Sequence, residues 1–140
     1  LTQGAPPVPG NFVCTVITPE EQLLEQEVRH VSIPAWDGQI GLLRDRAPLL
    51  ARLGYGVMDL ELASGQRQRY FVGGGFAQMR GNELAVLTDE ARPLADLDED
   101  QAEANLKQVL SRTGSDRDPA RQERDVERAR GLLAAARHSA

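Results

Sequence analysis

Hydrophobic and polar residues follow two different periods along this chain, and the change falls near Pro93. Before Pro93, short apolar and β-branched runs are separated by glycine-containing turns, which is typical of strands. After it, apolar residues recur every three or four positions between charged ones, which is typical of amphipathic helices. Of the 13 glycines, only Gly114 and Gly131 follow Pro93. The pattern therefore predicts a β-rich first part and a helical second part.

The first part contains several strand signals. Phe12–Ile17 is apolar on both faces and predicts a strand covered by two layers, whereas Met58–Leu62 alternates and predicts a strand with one wet face. The clearest hairpin joins Phe76–Arg80 to Glu83–Thr88 through Gly81-Asn82, a pair that accepts positive φ angles. Turn signals about every 8–12 residues predict an antiparallel β-sandwich or flattened barrel.

The second part contains two predicted helices. Asp98 is a candidate N-cap with Gln101 three positions later, as in a capping box, and Leu97 with Ala102 suits a hydrophobic staple. Thr113-Gly114 predicts the end of the first helix, and Asp118-Pro119 predicts the start of the second. The short linker between them predicts an antiparallel helical hairpin.

The apolar faces of these helices are thin. The first consists of Ala102, Leu106, Val109 and Leu110, and the second of Val126, Ala129, Leu133 and Ala136. Gly131 interrupts the second helix at a cost of about 1 kcal/mol relative to alanine. We therefore expect a hairpin that is marginal alone and depends on docking to a larger partner.

These elements predict an α+β, mostly β, chain with an N-terminal antiparallel sandwich and a C-terminal two-helix hairpin. The expected divisions are a flexible arm over 1–10, the sandwich over 11–91, a linker over 92–97 and the hairpin over 98–140. The start of the chain has neither a basic region nor an apolar run, so no signal peptide or transit peptide is predicted.

Composition and charge exclude several classes of function. The net charge of -5 and the pI of about 5.0 argue against nucleic-acid binding. The sequence contains no run of about 20 apolar residues, so no membrane-spanning helix is predicted. The single cysteine, Cys14, excludes an internal disulfide and a multi-cysteine metal site. The two histidines, His30 and His138, lack metal-ligand spacing, so we expect no metal and no catalytic residues.

Four segments together resemble one family. Val31–Leu53 reads VSIPAWDGQIGLLRDRAPLLARL, and it is followed in order by the hairpin Val72–Phe76 and the strand end Val86–Ala91. Phe12–Glu20 supplies a matching first strand and turn. The ordered set is similar to the epsilon subunit of F-type ATP synthase, in which a Gly-Glu-x-Gly turn leads to a His-Ala-Pro-Leu-Leu stretch. The likeness covers roughly residues 11–110.

The resemblance implies contacts with a membrane ring, and the chain departs from the family at three positions there. Gln39 stands where the family usually has Glu, Arg44 where Pro is common, and Arg46 where His is common. Loss of the Glu removes one possible charge pair with the ring. The residues implied at the rotor and ring interface are Asp37, Gly38, Gln39, Arg46, Ala47 and Pro48.

The resemblance also raises a regulatory ATP site. Some bacterial members bind ATP through an Ile/Leu-Asp-x-x-Arg-Ala motif, and the matching residues here are Leu97, Asp98, Gln101 and Ala102. Gln101 replaces the arginine and cannot offset phosphate charge. The capping box explains the same residues without a nucleotide, so we expect no cofactor and no regulatory ATP.

The resemblance implies a non-catalytic central-stalk subunit on the cytoplasmic face of a bacterial plasma membrane. Its implied partners are the gamma subunit, the ring of c subunits and, through the C-terminal helices, the alpha/beta head. Arg121, Arg124 and Arg128 share one side of the second helix, either as a solvated face with ion pairs or as a stripe that inhibits ATP hydrolysis. The alternative is a ligand- or protein-binding β-sandwich with a helical tail, unrelated to energy conversion.

Overall fold

The computed structural model describes residues 9–112 and 118–138. Strands and helices follow one another along these residues in the predicted order, with all strands before both helices. The elements are β1 (Phe12–Ile17), β2 (Gln22–Ala35), β3 (Gly38–Leu42), β4 (Leu49–Arg52), β5 (Tyr55–Leu62), β6 (Arg67–Gly73), β7 (Phe76–Arg80), β8 (Glu83–Leu87), β9 (Glu90–Pro93), a 3₁₀ turn (Leu94–Asp96), α1 (Glu99–Ser111) and α2 (Pro119–His138). The predicted flexible arm falls largely outside the described residues.

The strands form one folded sheet in the order β4-β7-β8-β1-β2-β5-β6-β9, with β3 paired to β2. The first half of the long strand β2 pairs with β1, and its second half pairs with β3 and β5. Strand β2 thereby links the two layers, whose inward residues meet in one apolar cluster. This arrangement confirms the predicted sandwich.

One strand pair departs from the predicted antiparallel pattern, because β1 and β8 run parallel. The predicted hairpin of β7 and β8 is confirmed, with Gly81 at a φ of 62° in its turn. A hairpin turn fixes the direction of neighbouring strands, whereas strands far apart in sequence are free to pair in either direction. The hairpin signals could therefore predict the β7–β8 pair but not the β1–β8 pair.

Strand β1 is covered on one face only, which corrects the prediction of a strand between two layers. Phe12, Cys14 and Val16 are fully buried in the sandwich core, while Val13 and Ile17 are only partly buried. β-Branched residues suit a pleated surface whether or not a second layer covers it. Their presence on both faces was therefore not sufficient to predict double burial.

Helix α1 begins as predicted. The Asp98 carboxylate accepts hydrogen bonds from the backbone N–H groups of Asp100 and Gln101, at 2.8 and 3.3 Å. Leu97 packs against the cluster that contains Ala102, which confirms the staple. The predicted apolar face fails at its end, because Leu110 is exposed. The predicted stop at Thr113-Gly114 lies outside the described residues.

Helix α2 also begins as predicted, and it packs on two sides. The Asp118 carboxylate accepts a hydrogen bond from Ala120 N–H at 3.2 Å, directly before the first turn. Leu133 and Ala136 contact α1, as the predicted stripe requires. Leu132 and Ala135, which the stripe omitted, pack against the sandwich. The hairpin therefore lies folded onto the strands β5 and β6.

Candidate functional site

At Gly131 the backbone of the hairpin comes very close to the backbone of the sandwich. A Cβ atom at this position would lie 2.7 Å from the Tyr55 carbonyl oxygen and 2.9 Å from Tyr55 Cβ. Glycine is thus the residue that allows α2 to approach the backbone of β5. The prediction that Gly131 only weakens the helix is incomplete, because the same residue permits docking. An isolated glycine within a helical pattern was the available sequence signal for this close approach.

The apolar part of this interface is small. Leu132 and Ala135 of α2 pack with Phe71 of β6 and Leu94 of the 3₁₀ turn. Tyr55, Val57 and Leu97 are partly buried against the same cluster. Two of the interface residues on α2 are thus glycine and alanine, which bury little apolar area each. The docked hairpin is held by few large side chains.

The polar part of the interface includes a bidentate ion pair. Arg128 Nε and Nη2 donate to the two carboxylate oxygens of Glu90, each at 2.7 Å. Both side chains are partly buried, with 37% of Arg128 and 24% of Glu90 exposed. The pKa of the Arg128 guanidinium is raised above its usual value, and the largest cause is hydrogen bonding to Glu90. Arg128 therefore joins the hairpin to the sandwich in this conformation.

Glu90 is held on a rigid support. It is the first residue of β9 and lies opposite Gly73 of β6. Thr88 Oγ1 accepts from Glu90 N–H at 3.4 Å and donates to the Gly74 carbonyl oxygen at 2.8 Å. Sequence reasoning missed Glu90, since an isolated carboxylate at a strand start carries no motif. Its function follows only from the position of α2.

The three arginines predicted as an inhibitory stripe are not equivalent in the structure. Arg128 is engaged with Glu90, whereas Arg121 and Arg124 are exposed. Arg124 lines an open cleft of about 830 Å³ between α2 and the sandwich, together with Trp36 and Asp89. Only part of the predicted stripe is therefore available to a partner while the hairpin is docked.

The residues predicted at the ring interface lie in two separate places. Asp37 belongs to the turn between β2 and β3, where the backbone N–H of neighbouring Trp36 donates to the Arg52 carbonyl oxygen at 2.9 Å. The loop containing Arg46, Ala47 and Pro48 follows the other end of β3, which is about 13 Å long at the usual rise per residue. The structure does not bring the two segments together.

Two hydrogen bonds fix the position of the second segment. Arg44 Nη1 donates to the Asn11 carbonyl oxygen at 2.6 Å, and Asp45 N–H donates to Asn82 Oδ1 at 3.1 Å. The loop therefore lies beside the start of β1 and the turn between β7 and β8. Gln39 belongs to neither loop surface, since its Nε2 donates to Ser32 Oγ at 2.8 Å. A second bond from the same atom reaches the Val57 carbonyl oxygen at 3.0 Å.

The residues that match the family's ATP motif line a small cavity beside the ion pair. Its volume is about 250 Å³, below the range of roughly 300–1,000 Å³ that is usual for ligand pockets. The carboxylate of Asp98 is already used as the N-cap of α1. The lining residues include Leu97, Asp98, Gln101 and Ala102, with Arg92 and Arg128 from the interface.

An exposed apolar patch lies on strands that the hairpin does not cover. Phe76 of β7 and Leu87 of β8 are cross-strand partners, and both are about half exposed, at 53% and 50%. Leu50 of the neighbouring strand β4 is also exposed. Ile17 and Pro19 line the same shallow groove as Phe76 and Leu87. Exposed apolar patches of this kind mark interaction surfaces.

Sequence reasoning missed this patch, although a signal was present. In the run Phe76–Arg80, Gln78 and Arg80 alternate with buried Ala77 and Met79, so Phe76 falls on the polar face. A phenylalanine on the solvent side of an alternating strand indicates a surface contact.

Within 9–112 and 118–138, no group of three or more His, Cys, Asp and Glu side chains is arranged to hold a metal ion. The helices in these two ranges are too short or too polar to cross a membrane.

The described residues form a two-part protein, in which a β-sandwich precedes a folded C-terminal helical hairpin. Residues 11–94 match the family described as ATP synthase, Delta/Epsilon chain, beta-sandwich domain. The chain belongs to this family. It is 44% identical over 125 residues to the ATP synthase epsilon chain of Rhodopirellula baltica, covering 89% of this chain and 97% of that one. This membership rules out the alternative of a sandwich unrelated to energy conversion.

Two further comparisons agree. An ATP synthase epsilon chain of a Synechococcus species is 37% identical over 124 residues, covering 86% of this chain and 90% of that one. A chain in the cryo-EM structure of the Euglena gracilis mitochondrial ATP synthase, OSCP/F1/c-ring in rotational state 1, superposes with a TM-score of 0.80 at 24% identity. The superposition covers 96% of this chain and 86% of that one and supports the fold.

Proposed function

We propose that this chain is a non-catalytic central-stalk subunit of a proton-translocating F-type ATP synthase. Its sandwich binds the gamma subunit and the ring of c subunits, and its hairpin restrains ATP hydrolysis by the alpha/beta head. The complex would lie on the cytoplasmic face of a bacterial plasma membrane. The observation that carries the proposed contact between the sandwich and gamma is the exposed apolar patch of Leu50, Phe76 and Leu87.

The apolar patch is the proposed contact with gamma. Its strands β4, β7 and β8 are distinct from β5 and β6, which carry the hairpin, so both contacts fit at once. Phe76 lies beside Leu87 and opposite Arg52, which gives an aromatic anchor with a cation at its edge. Buried aromatic anchors dominate the binding energy of interfaces. The partner surface should therefore be apolar, with acidic residues near its rim.

Substitution of the anchor tests this contact. Phe76→Glu should abolish co-purification of the chain with gamma, because a carboxylate would be desolvated in the interface. Gln66→Glu adds the same charge at the exposed turn between β5 and β6 and should leave co-purification unchanged. Retention of gamma by the Phe76→Glu variant would show that the patch is not the gamma contact.

The turn that contains Asp37 and Gly38 is the proposed contact with the ring. The adjacent Trp36 is 69% exposed, which is unusual for a tryptophan in a free surface turn. The loop of Arg46, Ala47 and Pro48 lies at the opposite end of β3 and would meet another surface.

Cross-linking from single cysteines tests this assignment. The background would be Cys14→Ala, which removes the only native thiol. Asp37→Cys should form adducts with the c subunits in the assembled enzyme, and Arg46→Cys should not. Adducts from Arg46→Cys alone would reverse the orientation of the sandwich on the ring.

The hairpin is the proposed regulatory element. Among the described residues, it rests on the sandwich through Gly131, Leu132 and Ala135 and through the partly exposed Arg128–Glu90 ion pair, so a partner can bias its position by a few kcal/mol. When extended, it would present Arg121, Arg124 and Arg128 to an acidic surface of the head.

Deletion of the second helix of the hairpin tests this role. An assembled enzyme whose chain lacks residues 111–140 should hydrolyse ATP faster than the intact enzyme. The full-length variant Arg121→Gln/Arg124→Gln serves as the matched control, because it keeps the docked hairpin but removes two of the proposed head contacts. It should also hydrolyse faster. Unchanged hydrolysis in both enzymes would exclude inhibition by the hairpin.

A further inference from the structure

Glu90 has a second cationic neighbour besides Arg128. Arg92, two residues along the same strand β9, places its Nη1 at 4.0 Å from Glu90 Oε2. Arg128 is much closer, with two bonds of 2.7 Å, and it comes from the hairpin. One carboxylate therefore lies between a cation that moves with the hairpin and a cation that stays on the sandwich.

The two arginines compete for one acceptor. A carboxylate held by a bidentate guanidinium has its best lone-pair directions occupied, which leaves Arg92 at the limit of ion-pair distance. If α2 moves away, Glu90 keeps a partner on its own strand. Release then does not leave a partly buried carboxylate without a counter-charge, which would otherwise be unfavourable.

We infer that Glu90 and Arg128 form a latch that holds the hairpin on the sandwich, and that Arg92 takes over Glu90 when the latch opens. This inference rests on the proposed function only for its regulatory meaning. The conformational claim concerns the isolated chain. Opening of the latch also frees Arg128, so that Arg121, Arg124 and Arg128 can all contact an acidic partner.

Arg128 thus cannot serve both contacts at once. In the docked hairpin its guanidinium is committed to Glu90 by Nε and Nη2. An acidic surface on the head would have to remove Arg128 from Glu90, and Arg92 lowers the cost of that exchange. Docking and inhibition are therefore mutually exclusive through one side chain.

Hydrogen–deuterium exchange of the full-length chain tests the latch. Glu90→Gln should accelerate exchange of the α2 amides about 2- to 5-fold, the range expected for a partly exposed ion pair. Arg92→Gln should slow the same exchange, because the open state loses the main partner of Glu90, whereas the docked state loses only the contact at 4.0 Å. Faster α2 exchange in Glu90→Gln and slower α2 exchange in Arg92→Gln are expected together only if Glu90 passes from Arg128 to Arg92.

A matched control separates the latch from general weakening of the hairpin. Glu99→Gln removes an ion pair between α1 and α2, in which Arg137 Nε lies 3.1 Å from Glu99 Oε2. It should leave the hydrogen exchange of the α2 amides close to that of the unmodified chain. Raising the salt concentration should also accelerate α2 exchange in the unmodified chain and have less effect in Glu90→Gln.

Each variant tests a separate part of the inference. Unchanged α2 exchange in Glu90→Gln would overturn the latch, and unchanged or faster exchange in Arg92→Gln would overturn the takeover by Arg92. In the assembled enzyme, Glu90→Gln should lower ATP hydrolysis and Arg128→Gln should not. If deletion of residues 111–140 leaves hydrolysis unchanged, the regulatory proposal fails, while the exchange data still decide whether the latch exists.

Discussion

Gly131 of α2 lies against Tyr55 of β5 so closely that a Cβ at position 131 would be 2.7 Å from the Tyr55 carbonyl oxygen. Real Cβ atoms essentially never come within 3.0 Å of another heavy atom of this kind. The contact involves backbone on both sides, so neither partner can rotate away. A residue that weakens the isolated helix therefore sets the distance between the helical hairpin and the β-sandwich.

Gly131→Ala should undock the hairpin. Alanine would stabilise an isolated helix by about 1 kcal/mol, but its methyl group would force α2 away from β5. We expect faster hydrogen exchange across α2 and, in the assembled enzyme, lower ATP hydrolysis. The control is Ala134→Gly, which lowers helix propensity by a similar amount at an exposed position. A Gly131→Ala chain with slower α2 exchange would show that propensity outweighs the clash.

Asp98→Ala should destabilise α1 by about 1 kcal/mol. The substitution leaves two N–H groups of the first turn, those of Asp100 and Gln101, without their acceptor. Thermal unfolding followed by circular dichroism should show a lower midpoint. Asp96→Ala removes an exposed carboxylate that caps no helix and should leave the midpoint unchanged. Equal midpoints for Asp98→Ala and the unmodified chain would contradict the cap.

The intact chain should not bind ATP. Gln101 offers no positive charge, the Asp98 carboxylate caps α1, and Arg128 is engaged with Glu90. Isothermal titration up to millimolar ATP should give no binding heat. Gln101→Arg provides the informative comparison, because it restores the family arginine at the cavity. Saturable heat with the unmodified chain would refute the prediction.

Stability should fall at high pH because of Cys14. Burial raises the pKa of its thiol from 9.0 to about 12. The folded chain therefore keeps a proton that the unfolded chain loses, so this contribution is complete below about pH 9 and decreases above it. The expected slope is about 1.4 kcal/mol per pH unit between the two pKa values.

Cys14→Ala isolates the effect of this thiol. Burial also raises the pKa values of Tyr55 and Tyr70, and their contributions remain in both proteins. The difference in denaturant stability between the unmodified chain and Cys14→Ala should therefore shrink from pH 9 upward. A constant difference up to pH 11 would show that the folded chain does not retain the thiol proton.

Local sequence patterns predicted the elements well, because each depends on neighbouring residues. The hairpin at Gly81-Asn82, the cap at Asp98 and the start at Pro119 all match the structure. The same reasoning failed at Val13 and Ile17, where β-branched residues face a side without a covering layer. It also failed at Leu110, because helical periodicity gives a face but not the extent of its partner.

The sequence by itself determined the family, the division near Pro93 and the positions of turns and caps, since these follow from backbone preferences and ordered motifs. Only the tertiary structure decided what the hairpin contacts. Glu90 and Arg128 are 38 residues apart, and their bidentate pair exists because α2 packs across β5 and β6. Periodicity cannot supply such a pairing, because it depends on the relative placement of two separately folded surfaces.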